Sequence, residues 1–159
     1  MGWGTQLGHS FGIDEPGAPA APDTTFPIIN PTNPEESSTG VDKLQPVELS
    51  ITDDVGVSLS STTINIRGDQ VFDGVRFSNG WKGSTYTATA TGYDFVVRPD
   101  VLDRWRGLEE VTVIVATQDT SGNAAAKTYI FTVEGSVITS HIYPMIVGQL
   151  RIEDESDNG

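Results

Sequence analysis

The 159-residue sequence has no cysteine, so no disulfide can staple the fold and a thiolate zinc site is excluded. Histidine is nearly as scarce. His9 and His141 stand near opposite ends of the chain, and a zinc ion there would need carboxylates to complete its shell. Basic residues are few: 9 Lys and Arg face 22 Asp and Glu, for a net charge of −13. Such a chain repels phosphate, which argues against nucleic-acid and anionic-membrane partners. Its nearest basic cluster, Arg98, Arg104 and Arg106, is broken by Asp100 and Asp103. Long apolar runs are missing as well. The late stretch "VITSHIYPMIVGQL" is interrupted by Ser140, His141 and Pro144 and is too short to span a bilayer. The opening residues combine neither a basic cluster nor a continuous apolar core, so no secretory signal is expected. No Gly-x-Ser-x-Gly elbow, phosphate loop or dinucleotide fingerprint occurs, and no catalytic residue is expected.

What is present falls into three segments. Seven of the nine prolines lie within the first 46 residues. Residues 1–24, rich in Pro, Gly and Ala, read as an extended arm in which Trp3, Leu7, Phe11 and Ile13 are isolated apolar points. A segment of this composition cannot bury enough surface to offset its ordering entropy alone, so these four residues are candidate partner contacts. Residues 136–159 form an apolar piece with an acidic tail. There Ile142, Tyr143, Met145 and Ile146 exceed what a free tail should expose, and they are candidate partner contacts too.

Between them, residues 25–135 show period-two alternation bounded by turn residues. Val47, Leu49 and Ile51 share a face, as do Ile64 and Ile66, then Tyr93, Phe95 and Val97, then Val111, Val113 and Val115, then Tyr129, Phe131 and Val133. Phe26 to Asn30 is expected to supply the first strand. Turn signals such as "DDVG", "GD", "DG", "NG" and "TSGN" separate the runs. "RPDVLDRWRG" is the single helical candidate, started by Pro99 and Asp100 and ended by Gly107. About seven strands in roughly 110 residues predict an all-β, antiparallel sandwich.

Asp119 is the residue closest to a chemical signature. An aspartic-protease site needs Asp-Thr/Ser-Gly in a symmetric pair, but Asp119-Thr120-Ser121-Gly122 is one residue too long and has no second copy. Asp53, Asp54, Asp119 and Asn123 are hard oxygen donors of the type calcium prefers, yet the alternating spacing of an EF-hand is missing. They are therefore read as solvated turn carboxylates, and no metal or cofactor is expected. Asp119 is expected to cap the turn of a hairpin between strands 109–118 and 125–133, with Gly122 or Asn123 in the left-handed conformation. On that view Asp119→Asn costs no more than about 1 kcal/mol.

Two further features invite a ligand. Trp81, in "FSNGWKGST", lies between turn signals and is a candidate platform for a sugar ring, whereas Trp105 is expected to plug one end of the sandwich. Thr85, Thr87, Thr89 and Thr91 form a row read as the solvent face of an ordinary strand, with Ala88 and Ala90 packing behind it.

"VTVIVATQDTSGNAAAKTYIFTV" resembles the last hairpin of bacterial and phage immunoglobulin-like domains. "FPIINPTNPEESSTGVDKLQPVELSITDDVGVSLSSTTINIRGDQV" resembles the opening of the same modules, so the likeness covers residues 25–135. The start "MGWGTQLG" is similar to the starts of minor virion proteins of tailed phages. The resemblance implies an immunoglobulin-like β-sandwich carried by an arm and a tail. It further implies a structural, non-enzymatic component of a tailed-phage particle, in the tail, neck or baseplate or as capsid decoration, assembled in the host cytoplasm. Its partners would be other virion proteins or further copies of itself. The alternative is a bacterial cell-surface or carbohydrate-binding module of the same fold.

Overall fold

The period-two apolar rows become the facing sides of two sheets. In the computed structural model, described for residues 21–99 and 104–135, eight strands follow one another. They are β1 (Ile28–Asn33), β2 (Val47–Thr52), β3 (Val57–Ile66), β4 (Asp69–Phe72), β5 (Thr85–Ala88), β6 (Gly92–Val97), β7 (Glu110–Asp119) and β8 (Ala124–Thr132). One antiparallel sheet has the order β1-β2-β6-β5 and the other β4-β3-β7-β8. This is an immunoglobulin-like β-sandwich.

Register explains why the rows meet. Val47, Leu49 and Ile51 lie opposite Val97, Phe95 and Tyr93. In the other sheet Ile64 and Ile66 lie opposite Val115 and Val113, while Val113 and Val111 lie opposite Tyr129 and Phe131. Because successive side chains alternate between faces, these pairings put every residue of a row on one side. The two inner faces interdigitate as a single core that also takes in Phe72, Trp81 and Trp105. Tyr129 is buried with its hydroxyl unpartnered, and that burial pushes the phenol well above its ordinary value.

The edges are managed locally. Residues 37–41 cross to the β8 edge, where Ser37 N–H donates to Ile130 O (2.7 Å) and Thr132 N–H donates to Ser38 O (2.8 Å). Lys127, on the inward row of β8, reaches out to Glu36 at 3.1 Å. An edge strand covered in this way offers fewer free backbone groups to a second sheet.

Three expectations are revised. The first strand begins at Ile28 and runs to Asn33, and Asp23 is already bonded to the sandwich, so anchoring starts ahead of residue 25. Of the expected helix, residues 100–103 lie outside the described residues, and the flanking Arg98, Pro99 and Arg104 to Arg106 are not helical. Ala88 and Ala90 are exposed instead of packed: Ala88 ends the edge strand β5, all four of whose residues are open to solvent, and Ala90 lies in the turn that follows.

One glycine tests the β2–β6 pairing. Gly92 lies opposite Thr52 at the start of β6, and a Cβ built there would sit 1.9 Å from the Ile51 carbonyl oxygen. Backbone cannot yield as a flexible side chain can. Gly92→Ala should therefore lower the unfolding free energy by about 3 kcal/mol or more, measured by urea denaturation.

Candidate functional site

The alternation that builds the core does not stop at its last apolar residue. In β2 the inward row Val47, Leu49, Ile51 is continued by Asp53. In β7 the row Val111, Val113, Val115 is continued by Thr117 and Asp119. Both rows end at the same pole of the sandwich, since β3 begins directly after the 53–56 loop and Val57 pairs with Asp119. Thr120 sews the two loops together, donating its N–H to Gly56 O (2.9 Å) and its hydroxyl to Val55 O (3.2 Å).

Asp53 and Asp119 are thus 6% and 2% exposed, which overturns their assignment as solvated turn carboxylates. Period two carries them inward. The turn-capping role of Asp119 does stand. Its Oδ1 accepts from the Ser121 and Asn123 amides, both at 2.8 Å, and Gly122 takes the left-handed conformation at φ +96°. Its Oδ2 accepts from Asn123 Nδ2 at 2.7 Å. That amide also donates to Asp23, at 3.1 Å to Oδ2 and 3.3 Å to the carbonyl oxygen. Asn123 therefore bridges the β7–β8 turn to the chain segment entering the sandwich.

Asp23 is held from its other side by Thr25, whose N–H donates to Oδ1 at 2.9 Å. This backbone bond holds the Asp23 carboxyl below the ordinary carboxylate value of 3.8, with smaller contributions from neighbouring side chains. The Thr25 hydroxyl donates to Asp54 Oδ2 at 3.3 Å. One carboxylate oxygen from each of Asp23, Asp53 and Asp54 lies within 4.8 Å of the others. Asp23 was not among the sequence candidates, because it precedes the first strand and shares no motif with the later loops.

The remaining candidates are placed as follows. Trp81 is only 5% exposed, with its ring centroid 5.7 Å from that of Trp105, so it is a core residue and not a ligand-facing platform. The loop around it folds into a 3-10 turn, Asn79–Trp81, that turns the indole inward. Trp105 plugs the opposite pole as expected, donating Nε1–H to Gln45 O at 2.9 Å. Trp3, Leu7, Phe11, Ile13, Ile142, Tyr143, Met145 and Ile146 lie outside the described residues, as do His9 and His141. A cleft of about 370 Å³ lined by Gln70, Asp73, Arg76 and Phe77 carries one carboxylate, Asp73, whose Oδ1 accepts from the Val75 and Arg76 amides and so caps a turn. Among the described residues no helix is long and apolar enough to cross a membrane.

No family model and no curated protein matches the chain. Among solved structures, CopC from Methylosinus trichosporium OB3b aligns with a TM-score of 0.44 and 16% identity, covering 69% of this chain and 96% of that one. Dimeric latent PorU from Porphyromonas gingivalis aligns with a TM-score of 0.51 and 18% identity over 77% of this chain. The match spans only 12% of the PorU chain. At these identities the likeness is one of fold.

Two outcomes follow from this network. In Asp119→Asn the side-chain oxygen can keep the two backbone donors, but the new amide then faces Asn123 Nδ2, which must turn away and give up its bonds to Asp23. The cost should rise to about 1–3 kcal/mol by calorimetry, above the 1 kcal/mol of a simple turn cap. The second concerns pH. A depressed folded value means that the Asp23 contacts contribute fully above 3.8 and are lost as pH falls through the folded value. The Thr25 amide resonance, followed by NMR, should titrate with a midpoint below 3.8.

Proposed function

We propose that the chain is a structural, non-catalytic module: an immunoglobulin-like sandwich held in a multi-copy assembly by the segments that flank it. The carrying observation is where those segments are rooted. The chain enters at the carboxylate pole, where Asp23 bonds to Asn123 and Ile28 pairs with Thr52. It leaves at the Trp105 pole, where β8 ends and Glu134 N–H donates to Val41 O at 2.8 Å. The flanking residues 1–20 and 136–159 are therefore joined to the sandwich at opposite poles.

A module rooted at both poles can brace two neighbours at a fixed separation. The sequence resemblance makes a tailed-phage particle, built in the host cytoplasm, the proposed setting. Other virion proteins or further copies of the chain are then its partners. Burial of Trp81 takes away one candidate sugar platform. The in-line geometry also serves an immunoglobulin-like module within a longer cell-surface chain, and the same experiment separates the two.

Full-length protein and a variant lacking residues 1–20, which keeps Asp23 and its bonds, are incubated with particles assembled without this chain and then sedimented. Both should melt together, since the deletion spares the sandwich, while incorporation of the truncated form should fall at least about tenfold. Equal incorporation, or none of either form, would overturn the virion assignment.

A further inference from the structure

The carboxylate pole concentrates negative charge, and no salt bridge among the described residues reaches it. The salt bridges of the described residues join Arg67 to Glu109, Arg76 to Asp73 and Lys127 to Glu36, all away from Asp23, Asp53 and Asp54. A cluster of acids alone would signify little, because exposed acids commonly gather at loops. The decisive observation is Asp53. It is buried, its backbone N–H is fixed to Thr91 O (2.9 Å), and its Oδ1 accepts from the Val55 amide (3.0 Å). Its Oδ2 is fully buried and accepts no hydrogen bond. A carboxylate oxygen withdrawn from water without a donor is expensive, and natural folds rarely leave one so.

We propose that Asp23, Asp53 and Asp54 bind a calcium ion that clamps the entering chain segment onto the β2–β3 loop. The ion supplies what Asp53 Oδ2 lacks. It also offsets the repulsion among three carboxylates whose oxygens lie within 4.8 Å of one another. That span matches oxygens arranged around a calcium ion, which holds them at about 2.3–2.6 Å in irregular shells of six to eight. Magnesium demands a tighter octahedron, at about 2.0–2.1 Å, that ligands from two separate loops are poorly disposed to build.

Further ligands have room. A groove of about 270 Å³ lined by Thr25, Thr52, Asp53, Asp54 and Thr91 opens beside the cluster, large enough for water to complete the shell. Its rim carries Phe26 and Ile28, 60% and 65% exposed. Calcium would thus fix the direction in which the chain enters the sandwich. The site goes beyond the proposed assembly role and stands or falls apart from it.

The test is calorimetric titration of the full chain with calcium chloride after chelation, with melting curves at several calcium concentrations. One ion per chain is expected, with Kd of about 10⁻⁴–10⁻³ M for a partly open site, and a Tm that climbs with calcium. Asp53→Asn keeps the acceptor for the Val55 amide while removing the charge. It should weaken binding at least about tenfold, yet in chelator it should melt no lower than the parent chain, because a neutral amide is cheaper to bury than an orphaned charge. Asp54→Asn, at an exposed position, should fold normally and also lose affinity. Absence of heat and of any Tm change at 10 mM calcium (about ten times the weaker Kd) would overturn the site. So would an equal response to magnesium, or an unchanged calcium response in both variants.

Discussion

The structure depends on one geometric constraint, the two-residue period of a strand, carried without interruption from apolar core to polar pole. Val47, Leu49, Ile51 and Asp53 are all odd-numbered, and so are Val111, Val113, Val115, Thr117 and Asp119. Once the first members of each row are buried, the last have no choice of side. Hydrophobic burial of the valines and isoleucines is the favourable term, and the inward placement of two aspartates is its by-product. Burying a carboxylate opposes folding, so each must be compensated where it lies. Asp119 is compensated by three donors from its own turn. Asp53 is compensated on one oxygen only.

That asymmetry organises the pole. The donors of Asp119 come from Ser121 and Asn123, within four residues, so its turn closes without outside help. Asn123 has donor capacity to spare and uses it on Asp23, a hundred residues away, converting a local cap into a tertiary tie. Thr25 extends the tie to Asp54. The entering chain is thereby held by neutral donors between carboxylates, an arrangement that shields charges from one another without cancelling them. At the other end of the sandwich, Trp105 packs against Trp81 and Phe131, and the Arg67 guanidinium lies 5.3 Å from its ring. The two poles therefore differ in kind: one is closed by aromatic packing and one by hydrogen-bonded acids.

The fold was legible from the sequence because period two needs only nearby residues to be seen. Every apolar row read from the alternation is found inside, apart from Tyr93, which is half-buried at the rim. What escaped was information that only pairing supplies. Trp81 reads as a loop residue, since nothing local shows that the Asn79–Trp81 turn swings it beneath Trp105. Ala88 and Ala90 read as one packed face, yet β5 ends at Ala88 and Ala90 lies in the turn that leads to β6. The aspartates are a different kind of miss. Their parity with the valines is visible in the sequence, but "DD" and "DTSG" also carry turn chemistry, and that favours a solvated reading over a buried one. Asp23 could not be found by any local rule, being joined to its neighbours only through the tertiary fold.

The same logic bears on why a chain with net charge −13 should concentrate carboxylates at the root of its own N-terminal segment. Spread over a surface, acidic groups are screened within about 10 Å at ordinary ionic strength and cost little. Gathered at a partly buried pole they repel more strongly, because the low-dielectric core excludes the water and ions that would screen them. A fold that retains such a grouping therefore has a weak point unless a counter-charge arrives. Whatever binds there acts on both the stability of the sandwich and the anchoring of the entering segment, since Asp23 belongs to both. Anchoring and folding thus share a group of three aspartates, and a change in either is transmitted to the other through Asn123 and Thr25.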